Sequence, residues 1–416
     1  MDSRVLKKIA RDALRLDQIK YLPVKVVTVA GDGHRGFLYR GRHYSQIIDT
    51  IEDDLALKGE RCQSVARILS SLKNPISYGN VVSPEGAFAR ALILKRIKKL
   101  FVPCADYPYS NTEQNIWEEI LDRTGAKKVV AIMPSRELCA ACHGRGIWVA
   151  DVQHGVIAES HPWYGRKFRA QDPARWLPNA FICWDEGSAA VINDWAIAKN
   201  VATIVHGNRW LARFANRSEN DLLVKELFED SLGKVSRLRG KKTILLSLAW
   251  GAGNIPNEIM IDPVIKVIRA TADEYNWLIR LHPHQVTGFA MDEGRRFVKL
   301  FSEELADYSE WEWPTRTALP IVLTCTDLHI SWNSSVGIEA AQMGIKTAFL
   351  DPGLREGGPR CDYYSYWRSK GVIDVVEERF QSIKTWIQTN RDSKRPPESF
   401  DRDNIEYHKW IKFLTQ

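Results

Sequence analysis

The stretch ADVQHGVIAESHPWYG, residues 150–165, places ionisable side chains directly behind an apolar run that predicts a buried strand. Gln153 and His154 would emerge at the carboxyl end of that strand, and Gly155 allows close backbone approach to a ligand. Histidine has a pKa range suited to accepting a proton from a hydroxyl nucleophile. We therefore predict His154 as a reactive side chain, with a structural hydrogen-bonding histidine as the alternative.

A second candidate is ISWNSSVGIEAAQMG, residues 330–344, where a strand gives way to a helix through small residues. Ser334 and Ser335 can cap the helix, and its free amides and positive dipole end suit a phosphate group. Glu339 lies one turn inside the helix and would reach a ribose diol. The alternative is a plain N-capped helix, which explains the serines but not the whole run of small residues.

The third candidate is IRLHPHQ, residues 279–285. Arg280, His282 and His284 stand at the carboxyl end of a predicted strand, where open parallel sheets place their ligands. Histidines here suit a phosphate group, and a surface His-Pro turn is the alternative.

Three other motifs favour structural roles. GDGHRG, residues 31–36, has the glycine spacing of a dinucleotide site, but FLYRGRHYS follows instead of a helix; we expect a glycine-rich loop with a short hairpin. CAACH, residues 139–143, has the haem-attachment spacing, yet it lies in a helical pattern without a second ligand pair. The EDD run at 52–54 is also helical. We therefore predict neither cofactor nor metal, and reduced, mostly buried thiols, Cys104 included.

Apolar runs alternate with amphipathic segments along the chain, which is typical of parallel strands joined by helices. We predict an α/β protein with two sheets. The strands begin near residues 24, 128, 147, 180, 201, 243, 277, 327 and 347. The charged segment 217–242 favours a boundary between domains at 1–220 and 242–390, with a linker at 221–241 and a helical tail at 391–416.

Composition narrows the class of protein. With 44% hydrophobic and 26% charged residues the chain resembles an ordinary globular enzyme. It has no apolar run of about 18 residues and opens on no signal peptide, so we expect a cytoplasmic protein.

The net charge of +7 includes two basic amphipathic segments, within 1–20 and at 90–101. They predict either contact with an anionic membrane or ordinary domain helices with a solvated basic face. Without an RNA-binding motif, nucleic acid is not expected.

The order of these motifs, with VHGNR at 205–209 and the HP and SSVGIEAAQMG elements after it, resembles the GT-B glycosyltransferases. The resemblance is greatest to bacterial enzymes of capsule, O-antigen and teichoic acid synthesis, including CDP-glycerol glycerophosphotransferases and capsular Kdo transferases. VQHG, residues 152–155, matches the loop that carries a reaction-centre histidine in those enzymes. Arg209 departs from the proline common at that position in such families.

This resemblance implies two Rossmann-like parallel-sheet domains facing a cleft, and metal-independent transfer of a sugar in cell-surface polysaccharide synthesis. The donor would be a UDP-, CMP- or CDP-linked sugar, and the acceptor a saccharide or lipid-linked saccharide at the inner face of the membrane. His154 would act as base in an inverting reaction, and Glu159 would be the residue to test in a retaining one. The implied donor residues are Arg280, His282, Ser334, Ser335, Gly337 and Glu339, and the implied acceptor residues are Gln153, His161 and Trp163.

Two alternatives remain open at the level of sequence. A non-hydrolysing sugar-nucleotide epimerase shares this two-domain fold and would process the donor without an acceptor. A non-catalytic module that scaffolds a polysaccharide assembly complex would keep the fold without the chemistry.

Overall fold

The computed structural model describes residues 3–66, 76–101, 109–166, 171–238, 240–250, 255, 259–287, 290–396 and 400–416. The strands are β1 Val26–Ala30, β2 Phe37–Tyr39, β3 Arg42–Tyr44, β4 Cys62–Ala66, β5 Val81–Val82, β6 Lys128–Ala131, β7 Trp148–Val152, β8 Ala180–Cys183, β9 Ala202–Val205, β10 Lys242–Ser247, β11 Tyr275–Arg280, β12 Leu328–Ser331, β13 Lys346–Phe349 and β14 Ile373–Val375.

The helices are α1 Ser3–Ala13, α2 Ile48–Ala56, α3 Glu85–Phe101, α4 Asn111–Thr124, α5 Arg136–Gly144, α6 Glu186–Ala196, α7 Arg209–Asn216, α8 Leu222–Arg237, α9 Asp262–Thr271, α10 Pro283–Thr287, α11 Met291–Glu304, α12 Glu312–Arg316, α13 Leu319–Thr324, α14 Val336–Gln342, α15 Ser365–Ser369, α16 Phe380–Thr389 and α17 Asp401–Thr415.

The chain forms two compact units. The first unit holds residues 1–154, 162–206 and 405–416, and the second holds 155–161 and 207–404. Each is built on one parallel sheet, with strand order β5-β4-β1-β6-β7-β8-β9 in the first and β11-β10-β12-β13-β14 in the second. The predicted α/β class is therefore confirmed, and each of the nine predicted strands is present.

The strands are nearly continuous apolar runs because helices pack on their sheets. In the first unit the apolar core takes in Val27, Val129 and Val149 from three neighbouring strands. In the second unit it takes in Ile244, Leu246 and several aromatic side chains such as Trp277. Side-chain caps such as Ser110, Ser135 and Asp185 begin α4, α5 and α6 by accepting a backbone N–H of the first turn.

The segment predicted as a linker, 221–241, carries α8 instead. Asp221 caps this helix by accepting the N–H of Val224 at 3.2 Å, and Leu223 and Val224 are buried. Its charged residues form the exposed side of an amphipathic helix, which explains why the composition resembled a linker. The chain instead leaves the first unit after His206.

The C-terminal tail is helical as expected, and most of α17 belongs to the first unit. Tyr407, Trp410, Ile411 and Leu414 are buried in the first unit's core beside β6, β7 and β8. The last segment of the chain is thus a structural part of the N-terminal half.

The three motifs assigned structural roles fold as expected, and the EDD run lies in α2. GDGHRG forms a short 3-10 turn, Asp32–His34, followed by the antiparallel hairpin of β2 and β3. Arg40 and Gly41, at φ 49° and 73°, make the two-residue turn of that hairpin. Cys139 and Cys142 are fully buried in α5, where burial raises the pKa of the Cys142 thiol well above its usual range. Cys104 lies outside the described residues.

None of the helices in the described part of the chain is long and apolar enough to cross a membrane.

Candidate functional site

The strand order reverses once in each sheet, between β1 and β6 in the first unit and between β10 and β12 in the second. In open parallel sheets the crevice at such a switch point, beyond the carboxyl ends of the strands, is where ligands bind. Most of the residues predicted from sequence follow strands at or beside these two points.

His154 follows β7 and is held by its neighbours in the first unit. Its Nδ1 lies 2.9 Å from the hydroxyl of Tyr164, which is 1% exposed. The ring of His34, from the loop after β1, packs edge-on against it with ring centroids 4.9 Å apart. His154 therefore belongs to a small cluster with His34 and Tyr164, the histidine cluster below.

The hydrogen bond to Tyr164 bears on the chemistry of His154. A histidine that accepts a proton through Nε2 must carry its own proton on Nδ1. In that tautomer Nδ1 donates to the Tyr164 oxygen, and this bond fixes the plane of the His154 ring. Tyr164 is then a positioning residue, set in place in turn because its carbonyl accepts Trp195 Nε1 at 3.1 Å.

Sequence reasoning missed His34, because it lies more than a hundred residues before His154. Its loop is anchored by the buried Arg35, whose Nη1 donates to both oxygens of Asp49 at 2.7 and 2.9 Å. The Nη2 of Arg35 donates to Ser64 Oγ at 2.7 Å. The one sequence signal for His34 is its place in a glycine-rich loop directly after the first strand of a parallel sheet.

Arg35 faces two acidic side chains. Burial raises the pKa of Asp49 to about 7 and also raises that of Glu52, in both cases against the lowering effect of Arg35. Thr28 donates to Glu52 from β1. One guanidinium thus serves two buried carboxyl groups, and the loop that carries His34 depends on this balance.

Two of the three predicted acceptor residues are engaged within the protein. Gln153 is 1% exposed; its Nε2 donates to Ser188 Oγ at 3.1 Å and its Oε1 accepts the Trp184 N–H at 2.7 Å. Burial and these bonds commit both ends of its amide within the protein, so they favour a structural role for Gln153 over the predicted acceptor contact. Trp163 is partly exposed and donates Nε1 to Asp151 Oδ2 at 3.1 Å.

The segment 155–161 belongs to the second unit. The backbone N–H and the hydroxyl of Ser160 donate to the two oxygens of Asp362 at 2.8 and 2.6 Å. His161 lies near the ring of Tyr363, and burial lowers the pKa of its imidazole to about 4. His161 is therefore neutral at physiological pH and lies in the unit that holds the predicted donor residues. Glu159 is exposed.

Arg280 and Glu339 interact electrostatically in the second unit. Arg280, the last residue of β11, donates Nη1 to the carbonyls of Pro314 and Thr317, the latter at 2.8 Å. Burial raises the pKa of Glu339 to about 7, while Arg280 and a hydrogen bond from Asn208 oppose that rise. Asn208, from the predicted VHGNR element, also caps α7.

His282 is set up as a neutral hydrogen-bond donor. Its Nδ1 accepts the backbone N–H of His284 at 3.1 Å, so the ring proton lies on Nε2. Burial, together with the nearby His284 and Arg280, lowers its pKa to about 3. The indole of Trp250, which is 41% exposed, packs against both imidazoles at centroid distances of 5.7 and 4.7 Å.

The small residues between β12 and α14 form a tight turn. Ser334 donates its N–H to Ser331 Oγ at 3.2 Å, and its own hydroxyl accepts the N–H of Val336 at 3.4 Å. Ser335 precedes α14 and makes no side-chain capping bond. Gly155 lies beside Ser335, because a β-carbon added to Gly155 would be 3.9 Å from Ser335 Cβ.

Gly337 has a packing role. A β-carbon at this position would lie 2.3 Å from Phe349 Cζ, so only glycine lets α14 pack this closely on β13. This close approach accounts for the glycine by packing alone, and the phosphate contact of Gly337 stays a prediction.

Two parallel α/β units of this kind define the GT-B fold, and this chain has it. It is similar to UDP-GlcNAc 2-epimerase from Neisseria meningitidis bound to UDP-GlcNAc, with a TM-score of 0.57 and 14% identity over 94% of this chain and 99% of that one. It is also similar to the wall teichoic acid polymerase TagF, with a TM-score of 0.56 and 12% identity over 99% of this chain and 94% of that one. A third similar structure is S. aureus MnaA with UDP, with a TM-score of 0.52 and 11% identity over 92% and 91% of the two chains.

No protein-family model matches the sequence. No curated protein matches it significantly.

Proposed function

We propose that the protein is a metal-independent glycosyltransferase that moves a sugar from a nucleotide-sugar donor to a saccharide acceptor in bacterial cell-surface polysaccharide synthesis, of the O-antigen or capsule type. The observation that carries the proposal is the partly buried Glu339, which is hydrogen-bonded to Asn208 and interacts electrostatically with Arg280 beside the switch point of the second sheet. A carboxyl group fixed in that position suits the ribose diol of a nucleotide. TagF and UDP-GlcNAc 2-epimerase, which have this fold, support the same class of donor.

On the donor side, the second unit would bind the nucleotide through uncharged hydrogen-bond donors and through a cation that already interacts with a carboxyl group. His282 would donate Nε2–H to a phosphate oxygen, and Ser334 and Ser335 would offer hydroxyl and backbone donors. Arg280 would offset charge on the departing nucleotide. Preorganised donors of this kind stabilise a leaving phosphate without a metal ion.

On the acceptor side, His154 would remove the proton from the attacking hydroxyl in an inverting transfer, with Tyr164 and His34 fixing its ring. In a retaining transfer Glu159, which is exposed, becomes the residue to test. Trp163 would contribute an aromatic wall for a saccharide, and His161 would lie against the donor.

A screen of nucleotides by thermal shift tests the donor assignment. We expect one of UDP, CMP, CDP, GDP and dTDP to raise the melting temperature, because a ligand that binds only the folded protein stabilises it. Glu339→Ala should abolish the shift, and Glu304→Ala, on the exposed face of α11, should leave it unchanged. No shift with any nucleotide in the intact protein would reject the donor assignment.

The epimerase remains a second candidate function because the similar structures include UDP-GlcNAc 2-epimerase. Incubation with UDP-N-acetylglucosamine alone, followed by NMR, distinguishes the two. A new epimer formed without an acceptor would replace the transferase proposal, and an unchanged donor would support it.

We also propose that the first unit touches an anionic membrane surface through α1 and α3. Arg90 Nη1 donates to the carbonyls of Ala13 and Arg15 at 3.0 and 2.8 Å, which joins the end of α1 to α3. The exposed apolar and basic side chains of α1, α3 and the residues just after α1 are named here the basic apolar patch: Leu14, Leu16, Leu94 and Ile97, which are 46% to 87% exposed, with Arg11, Arg15, Lys98 and Lys99.

Vesicle sedimentation tests the basic apolar patch. We expect several-fold more protein to sediment with vesicles containing phosphatidylglycerol than with phosphatidylcholine alone, since each basic residue near an anionic surface contributes about 1 kcal/mol. Leu94→Asp with Ile97→Asp should remove most of the difference, whereas Leu57→Asp, at an exposed leucine after α2, should not. Equal recovery with both vesicles would contradict the electrostatic contact.

A further inference from the structure

We infer that Asn208 is a positioning residue for the carboxyl group of Glu339, and that this pair makes the second unit selective for a ribonucleotide over a 2′-deoxyribonucleotide. The inference rests on the proposed function, in which Glu339 binds the ribose diol. Asn208 belongs to the VHGNR motif at 205–209, to which the proposed function gives no role.

The backbone that leads into Asn208 is fixed by a glycine. Gly207 has a φ of 73°, in the left-handed region that residues with a β-carbon rarely adopt. A β-carbon at Gly207 would also lie 2.8 Å from the Cβ of Asp403, so a larger residue would displace Asp403. Packing within the second unit therefore sets the direction in which the chain enters Asn208.

The side-chain amide of Asn208 is committed at its oxygen. Asn208 is 4% exposed, and its Oδ1 accepts the backbone N–H of Leu211 at 3.2 Å, which caps α7. A carboxamide has one acceptor end and one donor end. Because the oxygen is turned towards α7, the Nδ2 end is the one that donates to Glu339.

The carboxyl group of Glu339 is held from two sides. Leu211 of α7 and Ala340, the residue after Glu339 in α14, are fully buried in one apolar cluster, which keeps the two helices together. Arg280 interacts electrostatically with the same carboxyl group and is itself held by two backbone carbonyls. A neutral donor and a cation thus fix one carboxyl group.

These two contacts also favour the ionised form of Glu339. Burial raises the pKa of its carboxyl group to about 7, and Arg280 and the hydrogen bond from Asn208 both oppose that rise. A carboxylate can accept a hydrogen bond from each of the two ribose hydroxyls, and hydrogen bonds to a charged group are the stronger kind. A 2′-deoxyribose lacks one of these donors, so the discrimination depends on the charge and orientation of Glu339.

Calorimetry at pH 8 tests the ribose preference with the ribonucleotide that gives the thermal shift, among UDP, CMP, CDP and GDP, and with its 2′-deoxy counterpart. We expect the ribonucleotide to bind at least about tenfold more tightly, the effect of one hydrogen bond to a charged group. A smaller preference, or dTDP as the only nucleotide that binds, would overturn the inference while leaving the donor site intact. Binding of no nucleotide would instead count against the proposed donor site and, with it, against this inference.

Two substitutions of Asn208 separate positioning from helix capping. Asn208→Asp and Asn208→Ser both keep a side chain that caps a helix well, but neither keeps the amide donor to Glu339. We expect the ribose preference to fall at least about fivefold in both, and Asn208→Ser to bind the 2′-deoxynucleotide within about threefold of the intact protein. A role in capping alone would leave the preference unchanged, and that result in the folded variants would overturn the inference.

A matched control and a double variant complete the test. Asn193 in α6 also uses its amide oxygen as an acceptor, from Thr203 Oγ1 at 2.9 Å, and Asn193→Asp should leave the ribose preference unchanged. If Asn208 acts through Glu339, Asn208→Ser combined with Glu339→Gln should show the same preference as Glu339→Gln alone. A further loss of preference in the double variant would mean that Asn208 acts by another route and would overturn the inference.

Discussion

Replacing His154 by alanine is expected to lower the rate of sugar transfer by about 10²–10⁴-fold, the usual contribution of a positioned general base. Binding of the donor nucleotide should be unchanged, because the donor residues belong to the second unit. The measurement is initial-rate transfer from the donor found by thermal shift to an acceptor fraction prepared from membranes, with donor affinity measured in parallel.

Tyr164→Phe should give a smaller loss and alter the pH dependence of the rate, because His154 loses the partner that fixes its tautomer. His408→Ala, at an exposed histidine of α17, is the matched control and should retain full activity. If the His154 and Glu339 variants both leave cellular polysaccharide unchanged, the scaffold alternative replaces the enzyme. Full activity of His154→Ala in vitro would remove this residue from the mechanism.

Replacing Arg35 by methionine is expected to destabilise the protein by about 3–5 kcal/mol, the range for breaking a buried ion pair by removing one partner. Both side chains of the Arg35–Asp49 pair are fully buried, and Glu52 shares the same guanidinium. Without it, two carboxyl groups would remain in the core with no cation. Equilibrium denaturation by urea, monitored by tryptophan fluorescence, measures the loss.

The pH dependence of the stability loss in Arg35→Met shows whether charge or packing causes it. Because the pKa of Asp49 is raised to about 7 in the folded protein, its contribution to stability is fully present below about pH 4 and is lost as the pH rises towards 7. The Arg35→Met variant should therefore lose more stability at pH 8 than at pH 5, where the carboxyl groups take up protons more readily. Arg316→Met, at an exposed pair with Glu312, should change stability by less than about 0.5 kcal/mol. An equal loss at both pH values would mean that packing, not charge, is responsible.

Much of the fold was readable from sequence because burial in a parallel sheet leaves a local signature. A strand covered on both faces needs a continuous apolar run, as in KTILLS of β10. The short or less apolar strands β4, β5 and β14 lack such a signature and were missed.

The contacts of individual site residues could not be predicted from the neighbouring sequence. Gln153 was predicted to face an acceptor, but only the folded chain brings Ser188 and Trp184 to its amide. Gly337 matched a phosphate-binding pattern, yet its small size is required by Phe349 on the neighbouring strand. Identical residue types at identical spacing can thus serve ligand binding or packing.

The sequence by itself determined the alternation of strands and helices, the class of fold and the polar residues that follow the strands, because each depends on burial within a few consecutive residues. Only the tertiary structure decided which of these residues meet: His34 with His154, Arg280 with Glu339, and segment 155–161 with Asp362. The physical reason is that contact between distant parts of the chain depends on strand order and helix packing, which no local pattern encodes.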